Sequence, residues 1–335
     1  MKKEQFFYGG QAVIEGVFMR GPKHYAVAVR QPDGNIRLRT SPLKAKIYTS
    51  KLCTKPLLRG VFGLMEMMHL GYDTIRWSAG IQLNRNDNSF GKIMKGSMLV
   101  GVLVALTLFV GTPFLVASLF VHDVHSMNFT LLEGFVRIVL LLGYLRVIRF
   151  LPDVNRLFSY HGAEHKSINC LEKEEELTVT NVKNNSRLHP RCGTGLVLII
   201  ALLSTIIFAP LAIFPLPLMF LFRLLLIPLI ASLSYEGVRL LNMTKTTRIG
   251  KLFLIPVLQT QKLTTNEPDE KMMETAIIAL TSCLQAQEED FDKTEKQSET
   301  RESLIITGDV PVVSSGTSIL LATMVQVTIL VLGLY

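Results

Sequence analysis

The sequence predicts a membrane protein, mainly α-helical, with four transmembrane helices, a candidate fifth at the C-terminus, and a small cytoplasmic α/β N-terminal region. Three observations predict it. The 335-residue chain is 49% hydrophobic and only 19% charged, with a mean hydropathy of +0.35, more apolar than soluble domains of this size. The excess is concentrated in blocks of about 20 residues, the length that crosses ~30 Å of hydrocarbon. Lysine and arginine, which give a net charge of +8, crowd residues 20–95, 146–191 and 239–262 and avoid the links inside each block.

Residues 1–95 form the N-terminal region. "MKKEQFFYGG" has no apolar run behind its lysines, so a cleaved signal peptide is not expected. "QAVIEGVFMRG" reads as a strand, and "YAVAVRQPDGNIRLRT" as a β-hairpin turning at Pro32-Asp33-Gly34. Glu15 alternates with Val13, Val17 and Met19, which puts a carboxylate on an apolar strand face, within reach of Arg20 or Arg59. The glycines here fit neither a dinucleotide fingerprint nor a phosphate loop. From Leu57 onward, Leu57, Leu58, Val61, Leu64, Met65 and Met68 recur at helical spacing. That helix lies on the membrane surface or covers the hairpin; its pattern suits both.

Residues 96–148 hold the first pair of spans (97–121 and 131–148), and residues 194–238 the second (194–214 and 216–238). The links within the pairs lack lysine and arginine, so both ends of the core face the cytoplasm of a bacterial inner membrane, with the N-terminus inside. Arg137 and Arg223 lie six and seven residues into their spans, about 10 Å deep. Such arginines snorkel or face a polar cavity, and Glu133 is one turn from Arg137. Pro113, Pro210 and Pro228 are candidate kinks. Residues 239–287 form a basic stretch and a helix from Pro268 to about Gln287, with Met273, Ile277, Leu280 and Leu284 on its apolar side. Residues 288–315 read as a disordered charged linker, and residues 316–335 as an apolar segment at the lower limit for a fifth span.

The chemistry concentrates in the cytoplasmic loop 149–193, in "FSYHGAEHKSINCLE". On a helix, His161 and His165 share a face, so both imidazoles reach one ion. With Glu164 they follow the H-x-x-E-H order, in which the glutamate is the general base of a metal-dependent hydrolase. Glu236, His189 and Cys192 all fall on the same membrane side and are the candidate further ligands, with Glu236 taken as the third ligand in the enzyme reading. Cys170 is nine residues from His161 and faces away from it. The divalent metal is zinc by preference, although manganese and iron accept histidine and glutamate too. The four cysteines, Cys53, Cys170, Cys192 and Cys283, contain no CxxC pair, which argues against a disulfide framework or a four-cysteine site. "SRLHPRCGTG" puts Arg187 and Arg191 at the start of the third span, where they enforce topology or hold an anion. The basic clusters lack interleaved aromatics, so nucleic acid is not an expected partner.

Four segments in order, "GGQAVIEGVFMRGP", "SYHGAEHKSINCLE", "SRLHPRCGTG" and "QKLTTNEP", resemble the bacterial YqhQ-type membrane proteins, a family of unknown function described mainly as predicted metal-dependent enzymes. The resemblance covers roughly residues 8–287; the tail after residue 288 is not part of it. It implies a linked set of motifs in one metal-dependent protein. Two functions remain in view. One is hydrolysis of a peptide or ester at the inner leaflet. The other is a non-catalytic adaptor or carrier that binds an anionic lipid or a partner protein through its arginines.

Overall fold

The structure, a computed structural model, describes residues 8–43, 53, 55–84, 88–292 and 300–305. The apolar segment 316–335 lies outside them. Five strands form an antiparallel meander in sequence order: β1 (Gly9–Val13), β2 (Gly16–Arg20), β3 (His24–Arg30), β4 (Ile36–Pro42) and β5 (Arg301–Ile305). The β3–β4 hairpin turns at Pro32-Asp33-Gly34, with Gly34 at φ 91°. The single strand expected over 11–21 is instead a hairpin, β1–β2, with Val13 opposite Gly16. Its two-residue turn places Glu15 at φ 53°. A non-glycine residue there carries no turn signature in the sequence.

Both faces of the sheet are covered, which is why β3 is buried along its whole length. Helices α5 (Pro152–Glu172) and α10 (Glu270–Asp292) pack on one face, against Ala12, Val17, Met19, Ala26 and Ala28. Helix α1 (Leu58–Leu83) covers the other, where Val13, Phe18, Tyr25, Val27 and Val29 meet Ile75 and Ala79. The two sets alternate along each strand, as the period of two requires. The segment 288–315 was expected to be a linker, but it supplies the last turn of α10 and the edge strand β5. "RESLI" is short and polar, and it becomes a strand by pairing with β4 rather than by burying its own side chains.

The apolar stripe of α1 is not its buried face. Leu57, Leu58 and Met65 are exposed, whereas Gly60, Glu66, Gly71, Thr74 and Ser78 are buried. The N-terminal half of α1 thus presents apolar side chains outward, while Ile75 and Ala79 further along are buried against the sheet.

Helices α2 (Asn88–Leu106) and α3 (Thr112–Phe120) are joined by a π-helical turn, Thr107–Gly111. Helix α4 (Met127–Ile148) follows, then α7 (Gly193–Phe208) with a 3-10 extension, Ala209–Ile213, and α8 (Leu216–Met243). Among the described residues, three stretches are long and apolar enough to cross a membrane: Ser89–Phe120, Gly193–Ile213 and Leu216–Met243. Only 22% to 28% of their most apolar windows is buried in the protein, so their hydrocarbon faces outward. The short helix α6 (Val179–Asn184) and the amphipathic α9 (Arg248–Thr264) complete the chain.

Arg137 and Arg223 turn inward to one buried carboxylate rather than snorkelling. Glu133 accepts from Arg137 Nη2 at 2.6 Å and from Arg223 Nη1 and Nη2 at 2.9 and 2.8 Å. All three residues are buried. The Arg223 guanidinium lies over the rings of Phe114, Phe208 and Phe220. Pro113 has no N–H to give to the carbonyl of Phe109, four residues back. The helix relaxes into the π-turn there, and Arg137 Nε takes that carbonyl at 3.0 Å.

Candidate metal centre

Helix α5 begins with Pro152 in its first turn and Asp153 at its positive end, both favourable there. It is buried almost continuously from Leu157 to Ile168, because the sheet, α10 and the loop before α7 surround it. His161, Glu164 and His165 are therefore all buried.

One ligand atom from each of His161, His165 and Cys192 lies within 4.8 Å of the other two. Cys192 Sγ is 3.4 Å from His161 Nε2, and the two imidazole centroids are 4.4 Å apart. Each histidine is braced from behind. His161 Nδ1 is 3.0 Å from the carbonyl of Thr264, and His165 Nδ1 is 2.6 Å from that of Arg187. A carbonyl only accepts, so each Nδ1 carries the proton and each Nε2 the lone pair. This is the second-shell arrangement that orients metal-binding imidazoles.

The braces have their own supports. Lys166 donates to the carbonyls of Lys183 and Asn185, and so holds the loop carrying Arg187. Gln261 accepts from His189 N–H and donates to the His189 carbonyl, which fixes the approach to Cys192. Cys192 is the N-cap of α7, accepting from Thr194 N–H. Asn266 N–H and Nδ2 bind the Phe158 and Asn155 carbonyls, strapping the α9–α10 connection to α5. Gly162 allows that strap: a Cβ there would overlap the Asn266 carbonyl oxygen.

Burial sets the electrostatics. It pushes His161 down to about 4 and His165 well below its ordinary value. Both imidazoles are therefore neutral near pH 7, as ligands must be. The Cys192 thiol is pushed up to about 12 and the Glu164 carboxyl up to about 8, again by burial. Gly10 N–H donates to the Glu164 carboxylate, and Oε2 has no hydrogen-bond partner among the described residues. Glu164 lines a cavity of about 270 Å³ together with His161, His165, His189 and Cys192.

The other expected site residues lie differently. His189 is on the same cavity, with its ring centroid 5.7 Å from that of His165 and Nε2 3.3 Å from Glu172 Oε1. Glu236 is engaged by Arg59, whose Nε donates to Oε1 at 2.6 Å while Nη2 binds Oε2. It does not join the His–His–Cys group, because α1 packs against α8 and brings Arg59 to it. Glu15 pairs with neither Arg20 nor Arg59. It takes both Arg156 Nε and Nη2 at 2.6 Å and lies 3.3 Å from the Tyr160 hydroxyl. Arg187 and Arg191 lie against the carboxylates of Glu267 and Glu172. Cys170 donates to the carbonyls of Glu175 and Glu176, away from the site. Gly10, Lys166, Gln261 and Thr264 were not expected as parts of this centre, although all four lie in the segments that carry the family resemblance: Gly10 in "GGQAVIEGVFMRGP", Lys166 in "SYHGAEHKSINCLE", and Gln261 and Thr264 in "QKLTTNEP".

A family model described as a protein of unknown function, DUF1385, matches residues 55–286. The uncharacterized protein YqhQ of Bacillus subtilis (strain 168) is 34% identical over 288 residues, which cover 81% of this chain and 90% of the relative. No solved structure matches. The chain belongs to the YqhQ-like DUF1385 family, whose function is not known.

Proposed function

We propose that this protein is a membrane-embedded, metal-dependent hydrolase working at the cytoplasmic face of a bacterial inner membrane. The observation that carries the reading is the convergence of two carbonyl-braced imidazoles and one thiol within 4.8 Å, beside a buried carboxyl on the same cavity. These donors fit zinc, which accepts imidazole nitrogen and thiolate sulfur, and three protein ligands leave a fourth position for water or substrate. A zinc ion there would act as a Lewis acid on what occupies that position. Glu164 does the proton work: it takes the proton of the attacking water as the new C–O bond forms. It then passes that proton to the leaving alcohol or amine as the ester or amide bond breaks. A carboxyl whose pKa stands near 8 is suited to exchanging protons near neutrality, and a nearby cation favours its ionised form.

The same reading includes four crossings. The sheet, α5 and α10 form one packed body, so an even number of crossings separates β4 from α5, and α5 from α10. Helices α7 and α8 account for the second interval. In the first, Ser89–Phe120 needs a return, and α4 supplies it: its 22 residues reach about 33 Å. Its charges are tolerated because Glu133, Arg137 and Arg223 neutralise most of one another. The lysines and arginines on the side of the sheet support its cytoplasmic placement.

The test is metal content of the full chain purified in detergent. About one equivalent of zinc is expected in the wild type, with loss in His161→Ala and in Cys192→Ala. Glu164→Gln should keep the metal and lose turnover. Equal metal in wild type and His161→Ala would sink the proposal.

A pH dependence follows from the ligand set. The imidazoles are already neutral above about pH 6, whereas the Cys192 thiol, at about 12, still holds its proton. Binding must displace that proton, so in Glu164→Gln, which removes the other group titrating in this range, zinc affinity should rise about tenfold per pH unit between pH 6.5 and 8.5. Competition with a calibrated chelator measures this, and a flat profile would remove the thiolate from the ligand set.

A further inference from the structure

The metal cavity has a neighbour on the side of the apolar helices. It shares Arg20, Met67, Arg191, Cys192, Gly193 and Tyr235 with a second cavity of about 540 Å³. The two cavities are therefore adjacent, walled in part by the same residues. Together they fall within the range of small-molecule sites, roughly 300–1,000 Å³.

Beyond the shared residues the larger cavity is lined by Pro22, Cys53, Arg59 and Glu66, and by a group of small or aliphatic residues: Gly60, Gly63 and Leu64 of α1, Leu196 of α7, and Ala231 and Val238 of α8. Its arginines do not select an anion, because Arg20, Arg59 and Arg191 pair with Glu66, Glu236 and Glu172. Leu196 is one turn into α7, about 5 Å from its start. Ala231 and Val238 lie in the second half of α8, which ends at Met243. The cleft thus sits at the end of two membrane-length helices, at the level where lipid headgroup meets acyl chain. A bilayer amphiphile has its ester or amide carbonyl at that level, with hydrocarbon below it.

We propose that the cleft between α1, α7 and α8 is an acyl-chain subsite, and that the substrate is a bilayer amphiphile whose chain is attached through an ester or amide carbonyl. The chain lies along Leu64, Leu196 and Val238, and the carbonyl reaches the cavity of His161, His165 and Cys192. This rests on the hydrolase reading for the reaction, but chain binding itself needs no metal.

Gly63 provides the test, because a Cβ there meets no atom within 4 Å. Replacing a mid-helix glycine favours the helix, and Gly63→Phe fills the cleft without touching the metal donors. The probe is a fatty acyl methyl ester carrying a diazirine near its terminal methyl, photolysed with the full chain in lipid nanodiscs. Labelled residues are located by peptide mass spectrometry, with metal content measured on the same samples. In wild type, labels are expected around Leu64 and Leu196. In Gly63→Phe they should fall on the order of tenfold, since a close-packed interior admits no second occupant, while metal content is unchanged. Labels confined to the outward-facing Leu202 and Ile206 would overturn the subsite, as would labelling unaffected by Gly63→Phe. If that variant does not fold, the position of the wild-type labels decides. His161→Ala should keep the labels, so failure of the metal reading and failure of the subsite are told apart.

Discussion

Glu133→Gln should be among the most damaging single substitutions in the chain. The carboxylate receives three hydrogen bonds from two guanidinium groups, and all three side chains are buried among apolar helices. Its loss leaves Arg137 and Arg223 facing each other with no counter-charge. Removing one member of a buried ionic group costs about 3–5 kcal/mol. The variant should fail to accumulate in membranes, or melt far below wild type by size-exclusion thermal scanning. Replacing the whole group, as Glu133→Leu with Arg137→Leu and Arg223→Met, should recover much of the loss, because charge is no longer stranded. One cost remains in that triple variant: the Phe109 carbonyl loses the Arg137 Nε that compensates for Pro113. A Glu133→Gln protein as stable as wild type would mean that water or lipid phosphate reaches the arginines.

Gly162→Ala should be nearly as damaging, by a steric route. The added methyl would overlap the Asn266 carbonyl oxygen, in a segment tied to α5 by the Asn266 N–H and side-chain amide. Overpacking of this kind costs roughly 1–3 kcal/mol. The upper end is expected, since backbone rather than a flexible side chain must yield. Relief would push the Thr264–Asn266 segment outward and take the Thr264 carbonyl from His161 Nδ1. The melting temperature should drop, and metal affinity should fall about 10- to 100-fold, as for lost second-shell partners. Gly143→Ala is the control, because a methyl there meets nothing within 4 Å and should be neutral or slightly stabilising. A Gly162→Ala protein with wild-type metal affinity would show that the Thr264 brace is dispensable.

What the sequence made legible was whatever depends on neighbours in the chain. Pro32-Asp33-Gly34 marks its own turn, and the four-residue spacing of His161 and His165 puts them on one helical face wherever the helix lies. The apolar blocks likewise announce helices by length. Choices between distant partners were not legible. Cys192, His189 and Glu236 were equivalent as ligand types. Cys192 reaches the imidazoles because Lys166 and Gln261 fold the 183–192 loop onto α5, and Glu236 is taken by Arg59. The stripe of α1 left two placements open, and the structure separates them along the helix: its C-terminal half covers the sheet through Ile75 and Ala79, while Leu58 and Met65 stay exposed. The hairpin at Glu15 was missed because its left-handed backbone is held by a side chain 141 residues away, Arg156.

The sheet is assembled from widely separated parts of the chain, which constrains biosynthesis. Strands β1–β4 emerge first, yet one of their faces waits for α5 and α10, and their outer edge for β5. Both pairs of apolar helices are synthesised before α10. The nascent N-terminal sheet must therefore persist with Ala26, Ala28 and Met19 uncovered while those helices are inserted. Completion of the sheet-centred body comes last, and it joins the two ends of the described chain across one hydrophobic core. On the proposed four-crossing topology, folding of that body reports on insertion: a chain whose apolar helices have gone in the wrong way cannot bring α10 to the sheet, and its open apolar face distinguishes it from a finished molecule.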